Sequence, residues 1–279
     1  MFPKDLVVFL EPHRQGCLQR LEFAVALAKH WHAHLIATFV TRPLVLEPHA
    51  DFAVGAAISS LLAEHRANTA TAIEQARAEF DARTDRRAFT AEWRISDNES
   101  GEALMLHARH ASLAILGPPT QQNRSTTMLG LAERMIFASG RPSLLLPEDW
   151  PAERMARRIV VGWNGGREAT RAIADAMPFL VAADSVHLVV VPDVRTRRLF
   201  GQEPGADMAA HLARQGVRVS LEQCAGDDAG VVLLEQCAAV RADLLVMGAI
   251  GRSRFSEVML GGVTRTVLET VQVPVLLSS

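Results

Sequence analysis

The hydrophobic pattern is sharpest in the second half of the chain. Arg158-Ile159-Val160-Val161-Gly162 is a short apolar run that ends in Trp163-Asn164-Gly165-Gly166, which predicts a buried strand entering a loop. Apolar residues then recur at steps of three and four (Ala169, Ala172, Ile173, Ala176, Met177, Leu180), so a helix with one buried face follows, its last turn distorted by Pro178. Val186 to Val191 reads as a second strand and Val217 to Leu221 as a weaker third. Val231 to Val240 reads as a helix with Val231, Leu234 and Ala238 facing inward. Asp243-Leu244-Leu245-Val246-Met247-Gly248 is continuously apolar after its first residue, as a parallel strand covered on both faces must be. Thr264 to Val271 predicts a last helix, and Val273 to Leu277 a closing strand with Pro274 near its start.

The first half repeats this series. It offers the strand Leu6 to Glu11, a helix with Cys17, Leu18, Leu21, Ala24, Val25 and Ala28 inward, and the strands Leu35 to Val40 and Phe89 to Ile95. A helix near Gly101 to Arg109, the strand Leu113 to Gly117, a helix after Gly130 and the strand Arg141 to Leu146 complete it. Gly117 to Gly248 and Gly130 to Gly261 are both separations of 131 residues, whereas Glu11 to Asn164 is 153. The first half therefore carries 22 extra residues, placed most simply around Arg42 to Leu62 as a loop plus helix over the strand tips. Pro147 to Glu153 is charged and punctuated by prolines, as a linker is. Strands alternating with helices predict an α/β fold of two tandem, doubly wound parallel sheets of five strands, Rossmann-like, over residues 1–150 and 151–279.

Composition narrows the choice of function. With 29 Lys plus Arg against 31 Asp plus Glu, a formal charge of -2, the chain offers no large basic surface for nucleic acid. The three cysteines form no C-x-x-C pair and build no disulfide framework. Met1-Phe2-Pro3-Lys4-Asp5 does not open an export signal, and the apolar runs fall far short of the roughly 20 residues of a membrane helix. The expectation is a cytoplasmic protein without a membrane partner. No P-loop, nucleophile elbow or H-E-x-x-H appears, which argues against dedicated catalysis. The alternating imidazoles of His30, His32 and His34 fall where a helix gives way to a strand, and read as a solvated connection. His107 and His110 read as surface residues, Cys224 and Cys237 as packing rather than a redox pair, and Arg195 to Arg198 as a solvated charge run.

Ligands of open parallel sheets sit beyond the carboxyl ends of the strands. In the second half Asn164-Gly165-Gly166, Val191-Pro192-Asp193 and Gly248 to Arg254 converge there, and Gly261-Gly262-Val263-Thr264 opens the last helix, whose unpaired N–H groups favour an anion. Arg252 or Arg254 adds charge. The string Gly248-x-x-Gly251, nine residues, then Gly261, running to the terminal Val-Pro-Val-Leu-Leu, resembles the universal stress protein family, and the likeness extends over both halves. The resemblance implies an adenine nucleotide such as ATP, with phosphates against the glycine string, ribose near the residue after strand one, and adenine at the end of strand two. The candidates are Asn164, Val191, Met247, Gly248, Gly251, Arg252, Gly261, Gly262, Val263 and Thr264.

Two departures qualify the transfer. Gly262 replaces the family's Ser or Thr, removing one hydroxyl contact to phosphate. Asn164 replaces the usual Asp, which removes the charge a Mg²⁺ ion prefers and argues against metal dependence. In the first half the matching string is Gly117-Pro118-Pro119-Thr120, nine residues, then Gly130-Leu131; the prolines delete two N–H donors, so this half reads as a scaffold although Glu11 keeps an acid. The leading expectation is a regulatory stress protein whose second half binds the nucleotide and reports to a protein partner, with homodimers of the tandem chain also in view. A nucleotide-free scaffold, pairing its halves through their closing strands, is the first alternative, and a slow ATPase the second.

Overall fold

The computed structural model describes residues 2–12, 16–41, 56–84, 89–96, 101–119, 130–192, 198, 203–249, 251–254 and 257–279. The first half runs β1 (Asp5–Leu10), α1 (Cys17–Trp31), β2 (His34–Val40), α2 (Ala56–Arg83), β3 (Ala91–Ser96), α3 (Gly101–Arg109), β4 (Leu113–Leu116), α4 (Leu131–Ala138) and β5 (Ser143–Leu145). The second runs β6 (Arg158–Gly162), α5 (Arg167–Ala182), β7 (Ser185–Val190), α6 (Ala206–Arg214), β8 (Val219–Gln223), α7 (Ala229–Ala239) and β9 (Leu244–Gly248). It continues with β10 (Gly251–Arg254), β11 (Glu257–Leu260), α8 (Gly262–Glu269) and β12 (Val275–Ser278). Among the described residues no helix is long and apolar enough to cross a membrane.

Each half is a five-stranded parallel sheet, in the orders β3-β2-β1-β4-β5 and β8-β7-β6-β9-β12. The two are one sheet of ten strands, because β5 and β12 pair antiparallel through Ser143–Leu277, Leu144–Leu276 and Leu145–Val275. The carboxyl ends of the two sets of strands therefore lie on opposite edges. Central strands are buried on both faces: Leu6, Val8, Ile159 and Val161 face one core, and Val7, Phe9, Val160 and Leu245 the other. On the first face lie α1, α2, α5 and α6; on the second lie α3, α4, α7 and α8. Trp31 of α1 meets Phe179 of α5 edge-on at 4.7 Å, an aromatic contact between the halves.

The sequence pattern located most elements, and its misses have physical causes. Helix α7 buries Val232, Leu233 and Cys237 and exposes Val231 and Ala238, so the predicted inward face is turned. Its apolar run Val231-Val232-Leu233-Leu234 contains no polar residue to mark the phase. Leu18 is likewise exposed on α1, whose inward face carries Leu21, Ala24, Val25 and Ala28 as expected. Helix α5 continues past Pro178 to Ala182. The surplus of the first half lies between its second and third strands: residues 41–90 separate β2 from β3, residues 191–218 separate β7 from β8, and α2 has 28 residues against 9 for α6. Residues 42–55 of the anticipated insertion lie outside the described residues.

A similar polar motif occurs in both halves, two residues further along the strands in the second. His34 hydrogen-bonds Thr90 (Nδ1–Oγ1 2.8 Å) and approaches Glu92 (3.7 Å) across the β2–β3 pair. On β7 and β8, two residues beyond the equivalent places, His187 meets Glu222 (2.7 Å) and Ser220 (3.2 Å). Both oxygens in the second half approach the same ring atom, Nδ1, so the trio ties outer strands together and is not a nucleophile–base relay.

The segment between the halves is packed rather than loose. The Trp150 indole is buried and donates to the Arg154 carbonyl, while the Arg154 guanidinium lies 4.5 Å over the Trp150 ring. Arg154 Nε then donates to Asp243 Oδ1 at 2.8 Å, and Asp243, 4 % exposed, also accepts from the backbone N–H groups of Arg157 (3.2 Å) and Arg158 (3.0 Å). At the other side of this segment, Gly16 sits at φ +76°, and a Cβ there would fall 2.4 Å from the Glu148 carbonyl oxygen, so the linker lies directly against the start of α1. Replacing Asp243 by Ala strands two backbone donors and a guanidinium, and we expect a loss of about 2 to 3 kcal/mol in stability by urea unfolding. Asn at the same position retains an acceptor and should lose less.

Candidate functional site

The second half changes the direction of its winding between β6 and β9. The connections β6–α5–β7 and β7–α6–β8 cross the first face, whereas β8–α7–β9 and β9–α8–β12 cross the second. Beyond the carboxyl ends of β6 and β9 the chain therefore departs to opposite faces and leaves a crevice, the place where such sheets receive ligands. Val161 pairs with Val246 at the last register position, which brings Gly162 level with Met247 and Trp163 level with Gly248.

Most of the predicted residues meet here. Asn164 is exposed, and its Oδ1 accepts the Gly166 N–H at 2.9 Å, so its side chain holds the turn that starts α5. Gly166 is the N-cap of α5. Val191 follows the last residue of β7 and packs, half-buried, on the second-face core. Met247 is buried in that same core, and Gly248 ends β9. A Cβ on Gly248 would lie 2.5 Å from the backbone nitrogen of Ala169 and 2.6 Å from the carbonyl carbon of Glu168, so β9 abuts the first turn of α5 with no room for a side chain. Gly261 is the N-cap of α8, Gly262 its first residue, Val263 is half-buried, and Thr264 is buried.

The stretch after β9 forms a hairpin that the sequence pattern did not indicate. Gly251 and Arg252 belong to β10, which pairs antiparallel with β11 from Gly251–Leu260 to Arg254–Glu257. This hairpin went unseen because its register comes from pairing with a neighbouring strand and not from any periodicity in Gly-Arg-Ser-Arg. Around Gly262, by contrast, nothing among the described residues lies within 4 Å of where a Cβ would stand, which leaves room among them for a larger residue. Asp193 and Arg195 to Arg197 lie outside the described residues.

Three features of the site were not anticipated. Trp163 extends β6 by donating its N–H to the Val189 carbonyl (2.9 Å), and its ring passes 3.6 Å from the Cβ position of Gly205, which caps α6. Glu168 stands in the first turn of α5 with its side chain 18 % exposed, while its neighbour Arg167 is 94 % exposed. Asp228 caps α7 by accepting from Gly230 N–H at 2.7 Å and also accepts the Thr266 hydroxyl at 3.0 Å, tethering α8 to α7. The Thr266 hydroxyl, then the Gly230 amide, hold the Asp228 carboxyl below its ordinary range. A Trp after the strand and an acid in the first helical turn were legible as residues; only the fold shows what they touch.

The first half presents different chemistry at its equivalent edge. Arg20, 2 % exposed, sends its Nη1 to the Phe9 carbonyl at 2.9 Å and lies 3.8 Å from the Cys17 sulfur, which in turn donates to the Glu11 carbonyl at 3.2 Å. Gly117, Pro118 and Pro119 follow β4, Gly130 caps α4, and residues 120–129 lie outside the described residues. His30 to His34 spans the end of α1 and the start of β2, with Trp31 buried between them. Among the described residues no three His, Cys, Asp or Glu side chains are grouped to hold a metal ion by themselves. Cys17, Cys224 and Cys237 are free, and burial pushes the Cys237 thiol up to about 12, which makes it a packing residue.

Residues 155–278 match the universal stress protein family. No curated protein matches the chain. Among solved structures, a universal stress protein from Archaeoglobus fulgidus DSM 4304 superimposes with a TM-score of 0.68 at 14% identity, over 98% of this chain and 98% of its own. A protein of unknown function from Pseudomonas aeruginosa PAO1 superimposes with a TM-score of 0.63 at 16% identity, over 99% and 92%. At these identities the likeness is one of fold, and it spans both halves.

Gly248→Ala should lower stability by about 1 to 3 kcal/mol, because the new methyl meets backbone and not a yielding side chain. Gly262→Ala, with open space and a helical position, should leave the urea midpoint unchanged or raise it. Asp228→Ala removes a cap and the tether to α8, an expected loss of about 1 kcal/mol read by the same unfolding curve.

Proposed function

With residues 155–278 belonging to the universal stress protein family and the whole chain folded as two copies of that fold, we propose that the second half binds an adenine nucleotide and that a partner protein reads its occupancy. The observation that carries this reading is the crevice between β6 and β9, closed at one side by the amino end of α8. The N–H groups of Gly262, Val263 and Thr264 have no partners within their own helix, and the helix dipole favours a phosphate there. The glycines at 251 and 261 let backbone approach the phosphates, Arg252 supplies a cation, Asn164 takes the ribose side, and Val191, with the buried Met247 in the same core, offers apolar surface to the base.

A nucleotide-free scaffold is the second reading, favoured by the continuous ten-stranded sheet that already fuses the halves. Calorimetric titration of stripped protein with ATP, ADP and AMP separates the two: the nucleotide reading expects one site per chain, and no heat at high micromolar nucleotide leaves the scaffold. Gly251→Asp combined with Gly261→Asp should abolish binding while the unfolding midpoint is kept. Gly262→Ser restores one hydroxyl donor in open space and should tighten binding by a few-fold to about tenfold, the worth of one hydrogen bond.

A further inference from the structure

We infer that Asn164 is a site of spontaneous deamidation in the folded protein, so that its place on the crevice rim begins neutral and acquires a carboxylate as the chain ages. Of the four asparagines, Asn68, Asn98, Asn123 and Asn164, only Asn164 precedes glycine. A following glycine has no Cβ to shield its backbone nitrogen, which is the nucleophile of this reaction. Asn164 is exposed, and Gly165 turns the chain at φ +70°, a conformation that L side chains rarely adopt.

The turn sets up the chemistry. Asn164 Oδ1 accepts the Gly166 N–H at 2.9 Å, which folds the side chain back along the Gly165 peptide rather than out into solvent. Once base has removed its proton, the Gly165 nitrogen attacks Asn164 Cγ and the N–Cγ bond forms. Negative charge moves onto Oδ1, the atom already held by the Gly166 N–H, beside the positive amino end of α5 that Gly166 caps. The Cγ–Nδ2 bond then breaks, the nitrogen takes a proton from solvent and leaves as ammonia, and a five-membered succinimide remains. Water opens the ring at one of its two C–N bonds, leaving aspartate when it adds at Cγ and isoaspartate when it adds at the backbone carbonyl. One water is consumed and one ammonia released for each chain converted.

The fold accommodates the aspartate. Its carboxylate keeps an oxygen for the Gly166 N–H and places negative charge before the first turn of α5, where the helix dipole favours it. Isoaspartate instead lengthens the backbone by one methylene ahead of Gly165 and does not fit the same turn. Conversion adds one negative charge to a chain of formal charge -2. All the reacting groups belong to the chain or to solvent, so the change needs no ligand in the crevice.

The test is incubation of freshly purified full-length protein at pH 8 and pH 6, native and in guanidinium chloride. The tryptic peptide Ile159 to Arg167 is followed by mass spectrometry against a time-zero sample. In native protein at pH 8 it should gain about one mass unit, about tenfold or more faster than the peptide carrying Asn68, which precedes Thr69 inside α2. The gain should slow at pH 6, where fewer Gly165 nitrogens ionise, and the native rate should match or exceed that of the unfolded chain. Conversion seen only in guanidinium chloride overturns the inference, as does native conversion no faster than at Asn68. Asn164→Gln, which cannot close the five-membered ring, should stop the accumulation of the acidic species on ion exchange; its undiminished accumulation in that variant places the reaction elsewhere and also overturns the inference.

Discussion

Three backbone residue pairs between β5 and β12 determine the plan of the molecule. Every other neighbour within the ten-stranded sheet lies in its own half and runs parallel; only Ser143 to Leu145 and Val275 to Leu277 join the halves in that sheet, and they do so antiparallel. Because both strands are buried on both faces, their pairing completes backbone hydrogen bonding that would otherwise be exposed at two apolar edges. The pairing also brings the four helices that follow the first two strands of each half onto one face, so α1 and α5 share a core and Trp31 reaches Phe179. The fold is consequently one body with two cores, although its sequence is written as two repeats.

The asymmetry between the halves follows from the same plan. The linker leaves β5 on the edge where the first half's strands end, and it is pinned there by Asp243, Arg154 and Trp150. Glu148 consequently lies on Gly16, at the start of α1, at the first half's counterpart of the crevice. The buried Arg20 and the thiol of Cys17 occupy the neighbourhood of β1's carboxyl end. Loss of a glycine string in the first half is matched by a physical filling of the same edge with linker backbone and helix side chains.

How much of this was legible in the sequence depends on what sets each feature. Continuous apolar runs such as Leu244 to Met247 announce a strand covered on both faces, and spaced alanines from Ala169 to Leu180 announce α5, because burial alone dictates them. Offsets between equivalent glycines gave the repeat. The phase of α7 was hidden since Val231 to Leu234 is apolar all round, and α6 escaped notice because its nine residues bury only Leu212 fully. The hairpin of β10 and β11 depends on pairing with no local pattern. At the site, Asn164 and the glycines were visible as a motif, but the placement of Glu168 against Gly248 is a property of how α5 meets β9, which no spacing encodes.

The antiparallel seam also sets how the halves can communicate. The crevice of the second half opens on one rim of the sheet, while the linker and the buried Asp243 lie on the other, at the amino ends of β6 and β9. No covalent connection at the crevice rim leads to the first half. Strain arising there has three routes: lengthwise along β9, whose five residues span roughly 17 Å, through β12 into β5, or down α5 to the contact of Phe179 with Trp31. The ten-stranded sheet is thus the transmission shaft of the molecule, and its stiffness limits how far one half can move without the other.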